Sequence, residues 1–235
     1  STLMDNMNQN LLKVYCQPIV SSDNCEIHSY EALLRIYKDK KYMSVFPFLE
    51  IAKATEIYDY FSEYVLKDAV KKIKENSVSI SINITLQDIL NPGYLRHLKR
   101  ELSFLKEKKL ILEIVETDDL ADIVTINQFI DEVKEIGCLI AIDDFGSGYS
   151  NLNVVFSFSD FQYLKIDGEL VKLILNNEKA KMMVESVLLY CRENDYKTIA
   201  EHVEDETILS VIQEMGFDYC QGYYCGIPSP GIYVR

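Results

Sequence analysis

Eight short apolar runs alternate with amphipathic stretches along this chain, and that alternation restricts the folds open to it. The runs are LKVYCQPIV (12–20), EIHSYEALLRIY (26–37), VSISINIT (78–85) and LILEIVET (110–117), then CLIAIDD (138–144), FQYLKID (161–167), YKTIAEHV (196–203) and FDYCQGYY (217–224). Helical periodicity fills most of the gaps. Ile126, Phe129, Ile130, Val133 and Ile136 repeat at helix spacing, and Gly137 follows as a stop signal. Ile208, Val211, Ile212 and Met215 do the same before Gly216, and Met183, Val187 and Tyr190 mark a third helix face. Strands alternating with helices predict a parallel sheet, open or closed. Only SSDNC separates the first two runs, a hairpin distance, so the first strand is expected to run antiparallel to the rest.

Six of the runs carry, near their C-terminal ends, a polar residue able to bind a cation or donate a hydrogen bond: Asn83, Glu113, Asp143, Lys165, Glu201 and Gln221. Residues two apart on a strand share a face. Asn83 therefore shares its face with Ser79 and Ser81, and Asp143 shares its face with Leu139 and Ala141. The small neighbours suit a crowded inward face, while Ile80, Ile82 and Ile84 would meet surrounding helices. In a (β/α)8 barrel the catalytic groups come from the C-terminal ends of several strands, and the spacing of these six is about one strand–helix unit each. Glu31, in SYEALLRIY on the second run, adds an acid in apolar surroundings, which predicts a buried, paired role.

Glu31, Glu113, Asp143, Asp144 and Glu201, with neutral Asn83, form a set of oxygen ligands. Such hard donors suit Mg²⁺ or Mn²⁺ rather than Zn²⁺. His28 and His97 fall outside the set, and His202, one residue past Glu201, is expected to point outward, because adjacent strand residues face opposite ways. Five carboxylates packed together call for more than one divalent cation. The adjacent Asp143 and Asp144 can aim at two metals roughly 4 Å apart, the arrangement that serves in-line displacement at phosphorus. Lys165, the one cation in the ring, is suited to hydrogen-bond the attacking water or the phosphate. The reaction predicted from these residues is metal-assisted hydrolysis of a phosphodiester. DFG at 144–146 lacks the glycine loop and HRD of protein kinases, and GSGYSN at 146–151 has Asn151 where the dinucleotide fingerprint needs a third glycine.

The motifs QPIV (17–20), EALLR (31–35), SINIT (81–85), LEIVE (112–116), DDFGSGYSNL (143–152), LKID (164–167), AEHVE (200–204) and QGYYCGIPSP (221–230) stand in the order and spacing of a known family. Over about residues 12–230 the chain resembles the EAL domain family, bacterial cyclic di-GMP phosphodiesterases. The resemblance implies an α/β fold, a TIM-like (β/α)8 barrel with the first strand antiparallel. It implies hydrolysis of cyclic di-GMP to linear pGpG with Mg²⁺ or Mn²⁺, two ions per site. By resemblance, Glu31, Asn83, Glu113 and Asp143 hold the first ion. Asp143 and Asp144 hold the second, helped by Glu201. Lys165 contacts the nucleophilic water and Gln221 orients a water or ligand. Gln17, Leu34, Arg35 and Asp167 are expected near the substrate. Glu116, Phe145, Gly146, Ser147, Gly148 and Glu204 are expected to couple the site to a dimer interface. The chain departs from the family pattern at His202, usually glycine, and at Gly168, where a basic residue is common. Val115 and Ser147 replace threonines, and one extra residue separates Asp143 from Lys165.

Bulk composition adds exclusions. A formal net charge of -13 argues against a basic face for duplex nucleic acid. No apolar run reaches the ~18 residues of a transmembrane helix. The polar start, STLMDNMNQN, lacks the apolar core of a secretory signal, so residues 1–11 are expected to be a linker or leader and 12–235 the catalytic domain. A chain that begins with Ser is expected to be a piece of a longer protein, with sensory or GGDEF domains as its expected neighbours. The six cysteines lack metal-binding spacing and are expected to be buried free thiols in a reducing cytoplasm.

Overall fold

The computed structural model describes residues 11–54, 57–105, 109–115, 120–147, 155 and 157–232. The boundary expected near residue 11 borders undescribed residues. Strand β1 (Leu12–Ser21) and β2 (Ile27–Lys38) form the expected antiparallel hairpin, with Gln17 directly opposite Glu31. A short β3 (Lys41–Ser44) returns along β2. The strand series continues with β4 (Ile80–Ile84), β5 (Leu110–Val115), β6 (Leu139–Phe145), β7 (Tyr163–Ile166), β8 (Lys197–Ala200) and β9 (Tyr219–Cys220). From β2 through β4 to β9 every neighbouring pair is parallel, and β1 closes the ring by pairing antiparallel with both β9 and β2. Eight strands thus make a closed barrel with β3 appended, which matches the expected TIM-like architecture.

No turn signal in the sequence announces β3. Asp39 and Lys40, at φ 52° and 64°, form a two-residue turn between β2 and β3. Such turns need left-handed backbone at both central positions and usually announce themselves with Asn-Gly or Asp-Gly. Asp-Lys carries no such signal.

Helices α1 (Leu49–Lys53), α2 (Ile57–Asn76), α3 (Leu86–Leu90), α4 (Pro92–Leu102), α5 (Leu120–Glu135), α6 (Gly168–Leu173), α7 (Glu178–Glu193) and α8 (Glu206–Met215) occupy the connections. On α5, Ile126, Phe129, Ile130 and Val133 are buried, as their period requires. Gly216 ends α8 in the left-handed conformation, φ 82°, returning its N–H to the carbonyls of Gln213 and Ile212. The face of α7 differs from expectation. Ala180, Val184, Val187, Leu188 and Cys191 are buried, whereas Met183 is 39% exposed. Three residues were too few to fix the face, and Met183 lies one position off it.

The barrel has two cores set by strand parity. Outward residues such as Ile80, Ile82, Leu112, Ile142 and Leu164 join the large core beneath the helices. Inside the ring a separate small core holds Ile19, Ile111, Ala141, Tyr163 and Ile199. Each of these lies two residues along its strand from a polar residue: Gln17, Glu113, Asp143, Lys165 and Glu201 in turn. Period-two geometry therefore stacks a polar layer directly on a dry one. Cys138 and Cys191 are buried as expected, while Cys25 is only half-buried.

Two glycines allow the chain to return tightly at the polar end. Gly146, φ 97°, lies where a Cβ would meet Leu170 Cδ2 at 2.4 Å. Gly222 lies where a Cβ would meet the Val203 carbonyl oxygen at 2.1 Å and its nitrogen at 2.3 Å. Backbone cannot yield as a side chain can. Gly222→Ala is therefore expected to destabilise the fold by about 2 kcal/mol or more in urea unfolding. A midpoint equal to that of the parent would refute the close approach.

Candidate active site

The polar layer closes around Lys165. Its side chain is 1% exposed, and its Nζ lies 2.8 Å from Asp143 Oδ1, 2.9 Å from Glu113 Oε2, 2.9 Å from Glu201 Oε1 and 3.8 Å from Glu31 Oε2. A second tier of amides fixes Glu31. Asn83 Nδ2 donates to its Oε1 at 2.7 Å, and Gln221 Nε2 donates to its Oε2 at 2.6 Å. Gln221 also reaches Gln17 Oε1 at 3.3 Å, and Gln17 Nε2 donates to the Gly226 carbonyl at 3.1 Å. The acid expected to be buried and paired on the second run, Glu31, is both.

The side-by-side aspartates meet through a local break in the strand. On regular β-structure they would face opposite sides. Asp144 instead takes φ 60°, and the β6–β7 register shifts between Ile142 and Phe145. One oxygen each from Asp143, Asp144 and Glu201 consequently lie within 4.8 Å of one another. Phe145 is buried in the outer core and anchors the bulge from behind.

Burial and crowding dominate the electrostatics. Burial pushes the Glu201 carboxyl up to about 7, with Asp143 and Glu31 adding to the shift and Lys165 opposing it. Burial also raises Glu113 well above the usual carboxylate range, against the pull of Lys165, and raises Asp144 together with the neighbouring Asp143 charge. For Lys165, burial works against the charge, but Asp143, Glu113, Glu201 and Glu31 outweigh it and hold its pKa well above that of ordinary lysine. Five carboxylates face one ammonium, a surplus that two divalent cations would balance. Asp143 Oδ1 is buried and close to Lys165, yet it accepts no well-directed hydrogen bond. The contact is thus coulombic, and the oxygen keeps unused acceptor capacity. A buried oxygen so placed among hard donors fits Mg²⁺ or Mn²⁺.

A cavity of about 670 Å³ opens above this layer. Glu31, Asn83, Asp143, Asp144, Lys165 and Glu201 line it, as do Gln221 and the expected substrate neighbours Gln17, Leu34, Arg35 and Asp167. Glu113 does not. Its register partner on β6 is Ala141, two residues before Asp143, and it joins the site through Lys165. Arg35 lies over the Tyr15 ring at 5.6 Å and donates to the Leu34 carbonyl. Of the residues expected to couple the site to a second subunit, Glu204 lines the cavity and pairs with Lys172 at 3.5 Å, Ser147 is exposed, and Glu116 and Gly148 lie outside the described residues.

His202 does not point away from the site. It lines the cavity, because β8 ends at Ala200 and strand alternation does not extend to it. Exposed aromatic rings at the rim, Phe46 and Tyr223, were also missed. Tyr223 follows Gln221 by two residues in QGYYC, a signal that was available; FPF at 46–48 carried none.

The comparisons with known proteins agree with this geometry. The EAL domain family model matches residues 1–228. The chain is 26% identical to the cyclic di-GMP phosphodiesterase PdeF of Escherichia coli, over 97% of this chain and 31% of that protein. It is 33% identical to the cyclic di-GMP phosphodiesterase PdeA of Borreliella burgdorferi, over 71% of this chain and 26% of that one. The chain thus spans less than a third of these curated relatives. Among solved structures, the PaMucR phosphodiesterase in its c-di-GMP complex superposes with a TM-score of 0.86 at 25% identity, covering 97% of this chain and 96% of that one. By its motifs, its barrel and the match over nearly its whole length, the chain belongs to the EAL domain family.

Proposed function

We propose that this chain hydrolyses cyclic di-GMP to linear pGpG at the carboxylate–lysine layer, with Mg²⁺ or Mn²⁺. The observation that carries the reading is the convergence of Glu31, Glu113, Asp143 and Glu201 on Lys165, with Asp144 beside Asp143 and Glu201, at a cavity large enough for a dinucleotide, in a chain of this family. Glu31, Asn83, Glu113 and Asp143 would hold one cation, and Asp143, Asp144 and Glu201 the other. When bound, such ions stabilise the phosphate oxygens and acidify the attacking water.

The protein's own groups do the rest. Water adds to phosphorus, the P–O3′ bond breaks, and the leaving oxygen takes up a proton. Lys165 Nζ holds the water or a phosphate oxygen by a charged hydrogen bond. Gln221 and Asn83 keep the Glu31 carboxylate oriented through its two oxygens. Arg35, at the cavity wall, offers a cationic contact to the second phosphate. The bulge at Asp144, with Gly146 and Ser147 beyond it, would carry the state of the site to a second copy of the chain. Further domains of a longer protein would then set its activity.

Incubation of the pure chain with cyclic di-GMP and either metal is expected to yield pGpG. Tight binding with no turnover under any metal or protein concentration would instead identify a receptor. Glu31→Ala or Asp143→Ala is expected to abolish turnover while circular dichroism is retained. Gln221→Ala, which only loosens Glu31, is expected to lower turnover by about 10–100-fold.

The raised Glu201 acid makes a separate prediction. A carboxyl with pKa about 7 in the fold and 4.5 in the open chain binds more protons when folded between those values. Metal-free protein should therefore lose stability as pH rises from about 4.5 to 7. Added Mg²⁺ or Mn²⁺ should raise the melting temperature, more strongly at pH 7 than at pH 5. A metal-free melting temperature that climbs across that window would contradict the crowding of the site.

A further inference from the structure

We propose that His202 reads the guanine base of the substrate and that Gly168 is the residue that makes room for it. The inference rests on the cyclic di-GMP reading above. The two positions are in direct contact: a Cβ on Gly168 would lie 2.4 Å from His202 Cγ, 2.5 Å from its Cβ and 2.6 Å from its Nδ1. Any side chain at 168 would displace the imidazole. Both are among the positions at which the sequence differs from the pattern it resembles.

The backbone at 202 indicates that the side chain is worth holding there. His202 has φ 53°, a left-handed conformation that glycine adopts more readily than a side-chain-bearing residue. Neighbouring hydrogen bonds impose the conformation. Glu201 N–H donates to the Ile166 carbonyl, Val203 N–H to Gln221, and Tyr224 N–H to Val203, while Gly222 lies against the Val203 backbone. Replacement by glycine would relieve the strain without touching these bonds. Strain retained at a cavity wall points to a functional contact.

The surroundings of the imidazole select the ligand group. His202 is exposed on the cavity with Asp167, Glu201 and Glu204 on the same lining, and Asp167 directly precedes Gly168. Asp167 and Glu204, the two of these not assigned to a cation, repel a phosphate. They accept well from the N1–H and N2–H₂ edge of guanine, while an imidazole N–H donates to its O6. Adenine presents an amino donor where guanine has O6, so it would leave the imidazole donor unmatched. A base-reading histidine therefore discriminates guanine from adenine, whereas a phosphate contact would not.

The test uses the full chain with Mg²⁺ and slowly hydrolysed phosphorothioate analogues of cyclic di-GMP and cyclic di-AMP, titrated by calorimetry. His202→Gly is expected to weaken the guanine analogue by about 5–10-fold and to move the adenine analogue by less than about twofold. In hydrolysis of cyclic di-GMP itself, KM should rise with kcat unchanged. Gly168→Ala should reproduce the loss by displacing the ring, and His202→Gly/Gly168→Ala should be no worse than His202→Gly. Because glycine accepts the left-handed backbone, His202→Gly should melt no lower than the parent. Equal weakening of both analogues, or of neither, overturns the base-reading role. So does a loss seen with Gly168→Ala but not with His202→Gly. A parent chain that binds neither analogue overturns the cyclic di-GMP reading itself, and this inference with it.

Discussion

A buried ammonium ringed by carboxylates organises the interior of this barrel. Lys165 is as inaccessible as the isoleucines of the outer core, and such burial is tolerable only because acids from β2, β5, β6 and the end of β8 surround it. The acids in turn depend on it. Without Lys165 they would be a cluster of desolvated like charges, and even with it Glu113 and Glu201 hold their protons more firmly than free carboxyls do. The remaining imbalance is what makes the layer a receptor for divalent cations. The same surplus of charge would supply the affinity for such ions.

Strand parity and two departures from it place the groups. Parity alone sets Glu113 over Ile111, Lys165 over Tyr163 and Glu201 over Ile199, so that the dry plug supports the charged layer from below. Departure is needed where two neighbours in sequence must face one site. Asp144 and His202 both achieve this with left-handed backbone, the first inside a bulge and the second beyond a strand end. Side-chain-bearing residues seldom adopt this geometry, and here both face the cavity.

Much of this was legible because period-two patterns and strand-end chemistry are local properties. Asn83, Glu113, Asp143, Lys165, Glu201 and Gln221 announce a common layer from spacing alone, and the antiparallel first strand follows from the five-residue gap SSDNC. What was not legible depends on contacts between distant segments. That Glu113 reaches the site through Lys165 and not through the cavity wall depends on how distant strands come together. That His202 faces inward follows from where β8 stops, which its own residues do not signal. Gly168 and His202 each stand out in sequence, but their contact, between the start of α6 and the segment after β8, does not.

The seam that closes the ring has a kinetic meaning. Strand β9 has only two residues, and it pairs with β1 at Val20↔Cys220, bringing together the two ends of the chain. Contacts of such sequence separation form late, because their loop-closure entropy must be met before they return any stabilisation. Gln221 lies immediately beyond that seam and clasps Glu31 from the opposite end of the sequence. The polar layer is therefore incomplete in any partly folded barrel. A nascent or locally opened chain can hold most of its hydrophobic core and still lack the oriented Glu31, so competence at the site reports on closure of the whole ring rather than on the folding of any one segment.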